Sequence, residues 1–544
     1  MATWTKTTNG YALPTPETTP MTAHIDYTTR LGLSYTPSRD QAAIFDWVTN
    51  GRGHAVVEAV AGSGKTTSIV SAAKLISGDG LFVAFNKSIA DLLGAKLAGT
   101  SMRSSTVHSL GFACVRYCGD RCAQVKTTKY RDMVKGAASA AETRGSICGE
   151  RLTREQSETI KDDGFPSRTC ERLIDLARLS LMDMDAEGFG EGLLELSDRH
   201  DLSDFAQCLE SVVVTVVRRC MQMGADTWGE VDYTDMVWLP VVNGWQPRQH
   251  SWVFVDECQD ISRAALELIR RSVRRGGRMM FVGDRRQAVY GFAGADASSF
   301  QTIIAELDAT VLPLSVCYRC PTSIIDLAQG WCPQIEAREG APAGVVRDSD
   351  EASYVSEARE GDLVLCRRNA PLLGLCFDLI AEGIPAVVRG RDIAAGLAKI
   401  VDKAAKGRPW SDFDRGLGEW EERQVAVAIR RNSDPDRAAS KIDQVRDQAE
   451  AIRVIAGRSG AKSPSVLRQA IDDLFSDERG SVVLSSIHKA KGLEADRVAI
   501  VDADRLPYPA RQDWQQEQEE NLAYVAVTRA QSELIRLVGP RVAG

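Results

Sequence analysis

Few short stretches leave a chain less freedom than HAVVEAVAGSGKTTSIV, His54 to Val70. A β-branched, apolar run ends in small residues. A glycine turn follows, then a lysine, two threonines and the start of a helical pattern. Gly62 and Gly64 reach backbone angles closed to other residues. The N–H groups of Ala61, Gly62, Ser63 and Gly64 can therefore converge on one anion at the positive end of the following helix. Lys65 is placed to reach the β and γ phosphates of a nucleotide. Thr66 offers a hydroxyl to Mg²⁺, with Thr67 beside it. The usual pattern starts with glycine, and here Ala59 stands at that position. The stretch needs a strand on one side and a helix on the other, which implies a parallel α/β sheet with its ligand at the strand tips.

Further strands of the same kind follow. LFVAF, WVFVDE and RMMFVGD complete a first series, and DLVLCRR, IPAVVRG, SVVLSSIH and RVAIVDA form a second that begins near Val311. Helical, polar segments interrupt both. At 544 residues the chain exceeds one hydrophobic core, and three or four units are expected. The expected layout is a flexible Thr- and Pro-rich tail over 1–30 and a first lobe over 31–106 and 224–300. A helical insertion over 107–223 interrupts that lobe. A second lobe spans 301–395 and 478–544, interrupted by a small, strongly charged helical insertion over 396–477. Ser38 is the expected N-cap of the first helix of the first lobe.

Composition narrows the class. No apolar run is long enough to cross a bilayer, and the first 35 residues lack an apolar signal core, so a cytoplasmic, soluble protein is expected. Thirteen cysteines, scattered and odd in number, are expected to be reduced. Cys114, Cys118 and Cys122 fall on one helical face, and Cys317 and Cys320 form a C-x-x-C. Neither has a matching second pair, so no metal site is expected there. The net charge of −8 excludes a wholly electrostatic nucleic-acid binder but not a local basic groove.

The run WVFVDECQD ends a buried strand in acids. Asp256 at its tip suits Mg²⁺, and Glu257 suits orientation or deprotonation of an attacking water. Together with Lys65 and Thr66 these acids complete a phosphoryl-transfer set.

AGSGKTT, VDECQD, GDRRQAVYGFAGA, HKAKGLEAD and NLAYVAVTRA occur in the order found in the UvrD/Rep-like helicases of superfamily one, which the chain resembles from about Tyr35 onward. VAFNKSIADLL and the short second insertion look closer to compact members such as the F-box DNA helicase motor and phage-type relatives. The resemblance implies two RecA-like parallel-sheet lobes, ATP and Mg²⁺ as cofactors, and single-stranded DNA and duplex junctions as partners, with accessory repair or replication proteins beside them. If the protein is bacterial or phage-encoded, it implies a place at the nucleoid.

The resemblance also implies roles. Gln41 reads adenine through its amide, and Tyr318 stacks on it. Gln287 senses the γ-phosphate, Glu494 binds the ribose, and Arg319 and Arg529 meet the phosphates from the second lobe. On the other face, Phe85, Asn86, Thr106, His108, Tyr290, Phe292, Arg367, Asn369 and His488 are expected to contact nucleic acid. Tyr290 and Phe292 lie two apart, on one side of an extended segment, where aromatic rings can stack on bases. The implied activity is ATP-driven 3′-to-5′ movement on single-stranded DNA with duplex unwinding. The alternatives are a translocase that strips proteins but unwinds poorly, and a motor on RNA. A nucleotide-dependent binding module without a motor cycle is disfavoured because Glu257, Arg319 and Arg529 are all present. Every assigned catalytic residue lies outside 396–477, so that insertion is expected to be replaceable by a linker.

Overall fold

The computed structural model describes residues 5–7, 10–12, 25–84, 86–200, 202–203, 205–289, 299–431, 435–475, 482–510 and 513–539. Phe85, Tyr290 and Phe292, assigned above to nucleic acid, lie outside these residues.

The first lobe is a six-stranded sheet, parallel throughout. Its strands are β1 Ala55–Ala59, β2 Gly80–Ala84, β3 Met102–Thr106, β4 His250–Val255, β5 Val273–Gly283 and β6 Thr310–Leu314, in spatial order β6-β1-β5-β4-β2-β3. The central strands are near-continuous Val, Phe and Met because both faces are covered. Phe82, Phe254 and Met280 lie in one core cluster, and Val83, Val253 and Phe281 in another. β6 corrects the expected boundary: Thr310–Leu314 pairs with β1, so the first lobe reaches Leu314. The Asp40 carboxylate accepts from both the backbone N–H and the hydroxyl of Ser315, tying the end of β6 to the helix Arg39–Asn50. Ser38 caps that helix in a reciprocal capping box with Gln41, as its sequence implies. The tail ends earlier than expected. A short helix, Tyr27–Leu31, packs Tyr27 edge-on against Phe45 at 5.5 Å.

The second lobe repeats the plan with β7 Val345–Ser349, β8 Leu363–Cys366, β9 Ala386–Val388, β10 Val482–Ser486, β11 Ala495–Val501 and β12 Ala530–Leu537, in order β7-β12-β11-β8-β10-β9, again parallel. The two lobes share apolar packing. Val60 and Ala61 of the phosphate loop, with Val289, join a cluster that includes Cys317, Ile324, Ile500, Tyr524 and Leu534.

The insertions differ. The first has its own core, in which Leu173, Ile174, Leu193, Val213, Val217 and Met221 pack together. It joins the lobe through the helices Val107–Cys114 and Tyr233–Val242. These approach so closely that a β-carbon on Gly111 would lie 1.9 Å from the Met236 carbonyl oxygen. The first of these helices gives way to a π-turn at Val115–Gly119, which puts Cys122 beyond the helix and off the face expected for three cysteines. The described residues of the second insertion form no core of their own. Ala449, Ile452, Ile455, Leu467 and Ile471 form one cluster with Val364, Leu372, Leu379 and Leu484 of the lobe. The Asp447 carboxylate accepts from the backbone N–H of Ala370 at 3.0 Å, at the start of the helix Ala370–Ala381. The shared cluster argues against the expectation that a linker could replace 396–477, because removal would strip the apolar cover from one face of the second sheet.

Candidate functional site

Three adjacent strands, β1, β5 and β4, deliver their C-terminal tips to one place. After β1 the chain turns through Gly62 and Gly64, both with positive φ, into the helix Lys65–Ala73. A β-carbon on Gly62 would lie 2.6 Å from the Arg319 Cβ, so glycine is required where the second lobe meets the loop. After β4 come Asp256 and Glu257, the latter in the left-handed region at φ 51°. After β5 come Asp284 and the turn Arg285–Gln287.

The acids surround two lysines. Lys65 Nζ lies 3.3 Å from Glu257 Oε1. Lys491, from the second lobe, lies 3.5 Å from Glu257 Oε2 and pairs with Asp260. Burial opposes the charge on Lys65, but Glu257, Asp284 and Asp256 outweigh it and raise the ammonium pKa. Burial likewise opposes ionisation of Glu257, yet Lys65 and Lys491 hold it below the usual carboxylate range. Asp256 is raised by burial and by its charged neighbour Glu257. Asp284, absent from the sequence reading, is pushed up to about 6 by burial against the pull of Lys65. Its carboxylate accepts from the Gln287 amide at 2.6 Å and so orients that side chain. GDRRQ carried the signal for Asp284: an acid directly after a buried strand, as in VDE.

The second lobe contributes a pair of arginines. Arg529 is buried, and its guanidinium donates to the carbonyls of Val525 and Leu493 and to the Thr528 hydroxyl. No carboxylate among the described residues pairs with it. Burial and the neighbouring Arg319 bring its pKa down to about 10. Arg319 pairs with Glu494 at 2.6 Å, which brings together two residues assigned separately to phosphate and ribose. Tyr524, missed in the sequence, accepts at its hydroxyl from the Ala61 backbone N–H at 2.9 Å.

Gln41 and Tyr318 both lie within 4.0 Å of where a Gly64 β-carbon would stand. Tyr318 is 41% exposed and free to stack. Gln41 departs from expectation: its carbonyl accepts from Ser38 N and its NH₂ donates to Ser68 Oγ, so both ends of the amide are engaged inside the protein. Ser63 is buried, and its hydroxyl has no partner among the described residues. An unpartnered hydroxyl in the loop and a buried arginine without an acid fit a polyanion. Thr66 at the helix start and Asp256 just past the tip of β4 are the oxygen donors that suit a hard cation.

The residues assigned to nucleic acid stand at other strand tips. Asn86 follows β2, Thr106 ends β3, Arg367 and Asn369 follow β8, and His488 follows β10. In the second sheet these are C-terminal tips, whereas Glu494 and Arg529 precede β11 and β12 at the opposite end. Local structure already engages several of them. Asn86 and Thr106 cap helices through Ile89 N and Ser109 N. Arg367 grips Glu519 in a bidentate pair, and Asn369 donates to Asp447. His108 is exposed and meets Tyr233 edge-on at 6.1 Å. His488 is held neutral, its pKa brought down to about 3 by burial and by Arg367.

Fold and site define a P-loop protein of two RecA-like lobes with residues of both lobes lining one cleft. The family model of the UvrD/REP helicase N-terminal domain matches residues 41–308, and that of the UvrD-like helicase C-terminal domain matches 414–537. The chain belongs to the UvrD/Rep-like helicase family. It is similar to DNA helicase II of Haemophilus influenzae, 22% identical over 454 residues, covering 62% of each chain. F-box DNA helicase protein 1 of Schizosaccharomyces pombe is 25% identical over 53% of this chain and 34% of its own length. F-box DNA helicase 1 of Gallus gallus is 26% identical over 52% and 28%. The chain thus spans less than two thirds of each of these relatives. Among the described residues no helix is long and apolar enough to cross a membrane.

Proposed function

We propose that the chain is an ATP-driven DNA helicase that moves 3′-to-5′ on single-stranded DNA. The observation that carries the reading is the composite cleft, with Lys65, Asp256 and Glu257 on one lobe and Arg319 and Arg529 on the other. Lys65 and the loop N–H groups hold the β and γ phosphates, and Thr66 and Asp256 would hold Mg²⁺, which would supply charge neutralisation at the phosphates. Glu257 takes a proton from the attacking water, and Gln287, oriented by Asp284, lies against the γ-phosphate. Arg319 and Arg529 stabilise the charge that develops there. Arg319 must leave Glu494 to do so, and Glu494 is then available to the ribose. Loss of the γ-phosphate weakens the bond between the lobes, and alternate closing and opening moves the strand held at the far tips. Polarity follows from the family resemblance.

The test is ATP turnover of the purified chain with and without single-stranded DNA or RNA, followed by separation of 3′-tailed and 5′-tailed duplexes. Turnover stimulated by DNA and unwinding of the 3′-tailed duplex are expected. Stimulated turnover without unwinding would favour a protein-displacing translocase. Turnover indifferent to any nucleic acid would overturn the reading.

A further inference from the structure

Three consecutive backbone carbonyls of the first lobe are held by side chains of the second. Lys491 Nζ donates to the Gln287 carbonyl at 3.1 Å, Asn521 Nδ2 to that of Ala288 at 3.1 Å, and Gln518 Nε2 to that of Val289 at 3.0 Å. Gln518 and Asn521 are three residues apart on the helix Asp513–Val527 and so share a face. The held segment continues directly from the Arg285–Gln287 turn, whose Gln287 side chain is tied to Asp284. In sequence it leads to Tyr290 and Phe292.

The same helix reaches both ends of the second sheet. Glu519 holds Arg367 at the C-terminal tip of β8. Tyr524, further along, receives the Ala61 N–H of the phosphate loop, and Arg529 lies just past the helix end. Fifteen residues make a rod of about 22 Å, long enough to link the two ends rigidly.

We propose that Gln518 and Asn521 are positioning residues that couple the nucleotide cleft to the nucleic-acid face. The proposal rests on the motor reading above. One end of the segment is anchored to the first lobe through Asp284, and its carbonyls are carried by the second. A change in the angle between the lobes must therefore displace the peptide chain between Gln287 and the aromatic residues. Asn521 is nearly fully buried, and its Oδ1 has no partner among the described residues, so the donor bond to Ala288 is the contact seen to orient the amide. A donor to a main-chain carbonyl acts on the path of the chain and makes no claim on the Gln287 side chain, which Asp284 orients.

Asn521→Asp and Gln518→Glu keep size and replace each donor by an acceptor that repels the carbonyl. Steady-state ATP turnover is measured with and without a thymidine 20-mer, together with binding of that oligomer. Basal turnover and KM for ATP should stay within about twofold. The stimulated kcat should fall about tenfold, the scale of one lost hydrogen bond. Gln518→Lys, which retains a donor, should restore most of the stimulation. If Asn521→Asp does not fold, Gln518→Glu, at a half-buried position, gives the same readout. Undiminished stimulation in both variants would overturn the proposal, as would an equal fall of basal and stimulated turnover, which marks a merely structural contact. A wild-type chain that ignores the oligomer would instead overturn the motor reading, and the proposal with it.

Discussion

β4 and β11 end alike. Each runs into an acid in the left-handed region, Glu257 at φ 51° and Asp502 at φ 53°, and each acid is followed by a three-residue turn, Cys258–Asp260 and Ala503–Arg505. Such a conformation costs a non-glycine residue on the order of 1–3 kcal/mol, so its appearance at both tips reflects a shared plan. The surroundings differ. Glu257 lies between Lys65 and Lys491 at the composite cleft, whereas Asp502 lies 3.1 Å from Arg368 of its own lobe. Under the proposed function, one backbone design serves chemistry in one lobe and structure in the other. The difference resides in which side chains neighbouring tips present.

The comparison predicts a large asymmetry. Glu257→Gln should slow ATP turnover by ~10²–10⁴, the range of a lost general base. Asp502→Asn should leave turnover within about twofold, since its partner Arg368 lies outside the cleft. Equal losses in a steady-state assay would break the distinction between the two tips.

The insertions extend the contrast to stability. Ile452 belongs to the core of the second lobe, and Leu173 to the separate core of the first insertion. Either residue changed to alanine should cost ~2–5 kcal/mol. Hydrogen exchange should separate the two variants. Ile452→Ala should speed exchange in β8 and β10, while Leu173→Ala should leave β1, β4 and β5 at wild-type rates. Faster exchange in those strands after Leu173→Ala would mean that the first insertion is no separate unit.

Much of the first lobe was legible because its strands are continuous apolar runs between a glycine loop and acid tips. The phosphate loop, the acids after β4 and the cap at Ser38 follow from local chemistry. β6 was misassigned because TVLPL carries no mark of the sheet it joins; its pairing with β1 is a long-range choice. β3, MRSST, is too polar to read as a strand, and it sits at the sheet edge. The second insertion was expected to be replaceable because every assigned catalytic residue lies outside it, and the apolar stripe on Ile452 and Ile455 does not announce in sequence what it packs against. Pairings such as Arg319 with Glu494 and Gln518 with Val289 join distant segments, and no local pattern contains them.

The account stands on the two lobes sharing one catalytic site, and Arg529→Ala examines that most directly. ATP affinity, by equilibrium titration, and ATP turnover are measured on the same folded variant. Affinity should change little, because the phosphate loop belongs to the first lobe, while turnover should fall at least ~10³-fold, as for a lost arginine finger. A fall in turnover smaller than tenfold would show that Arg529 does not act on the phosphates and that the site is not shared between the lobes.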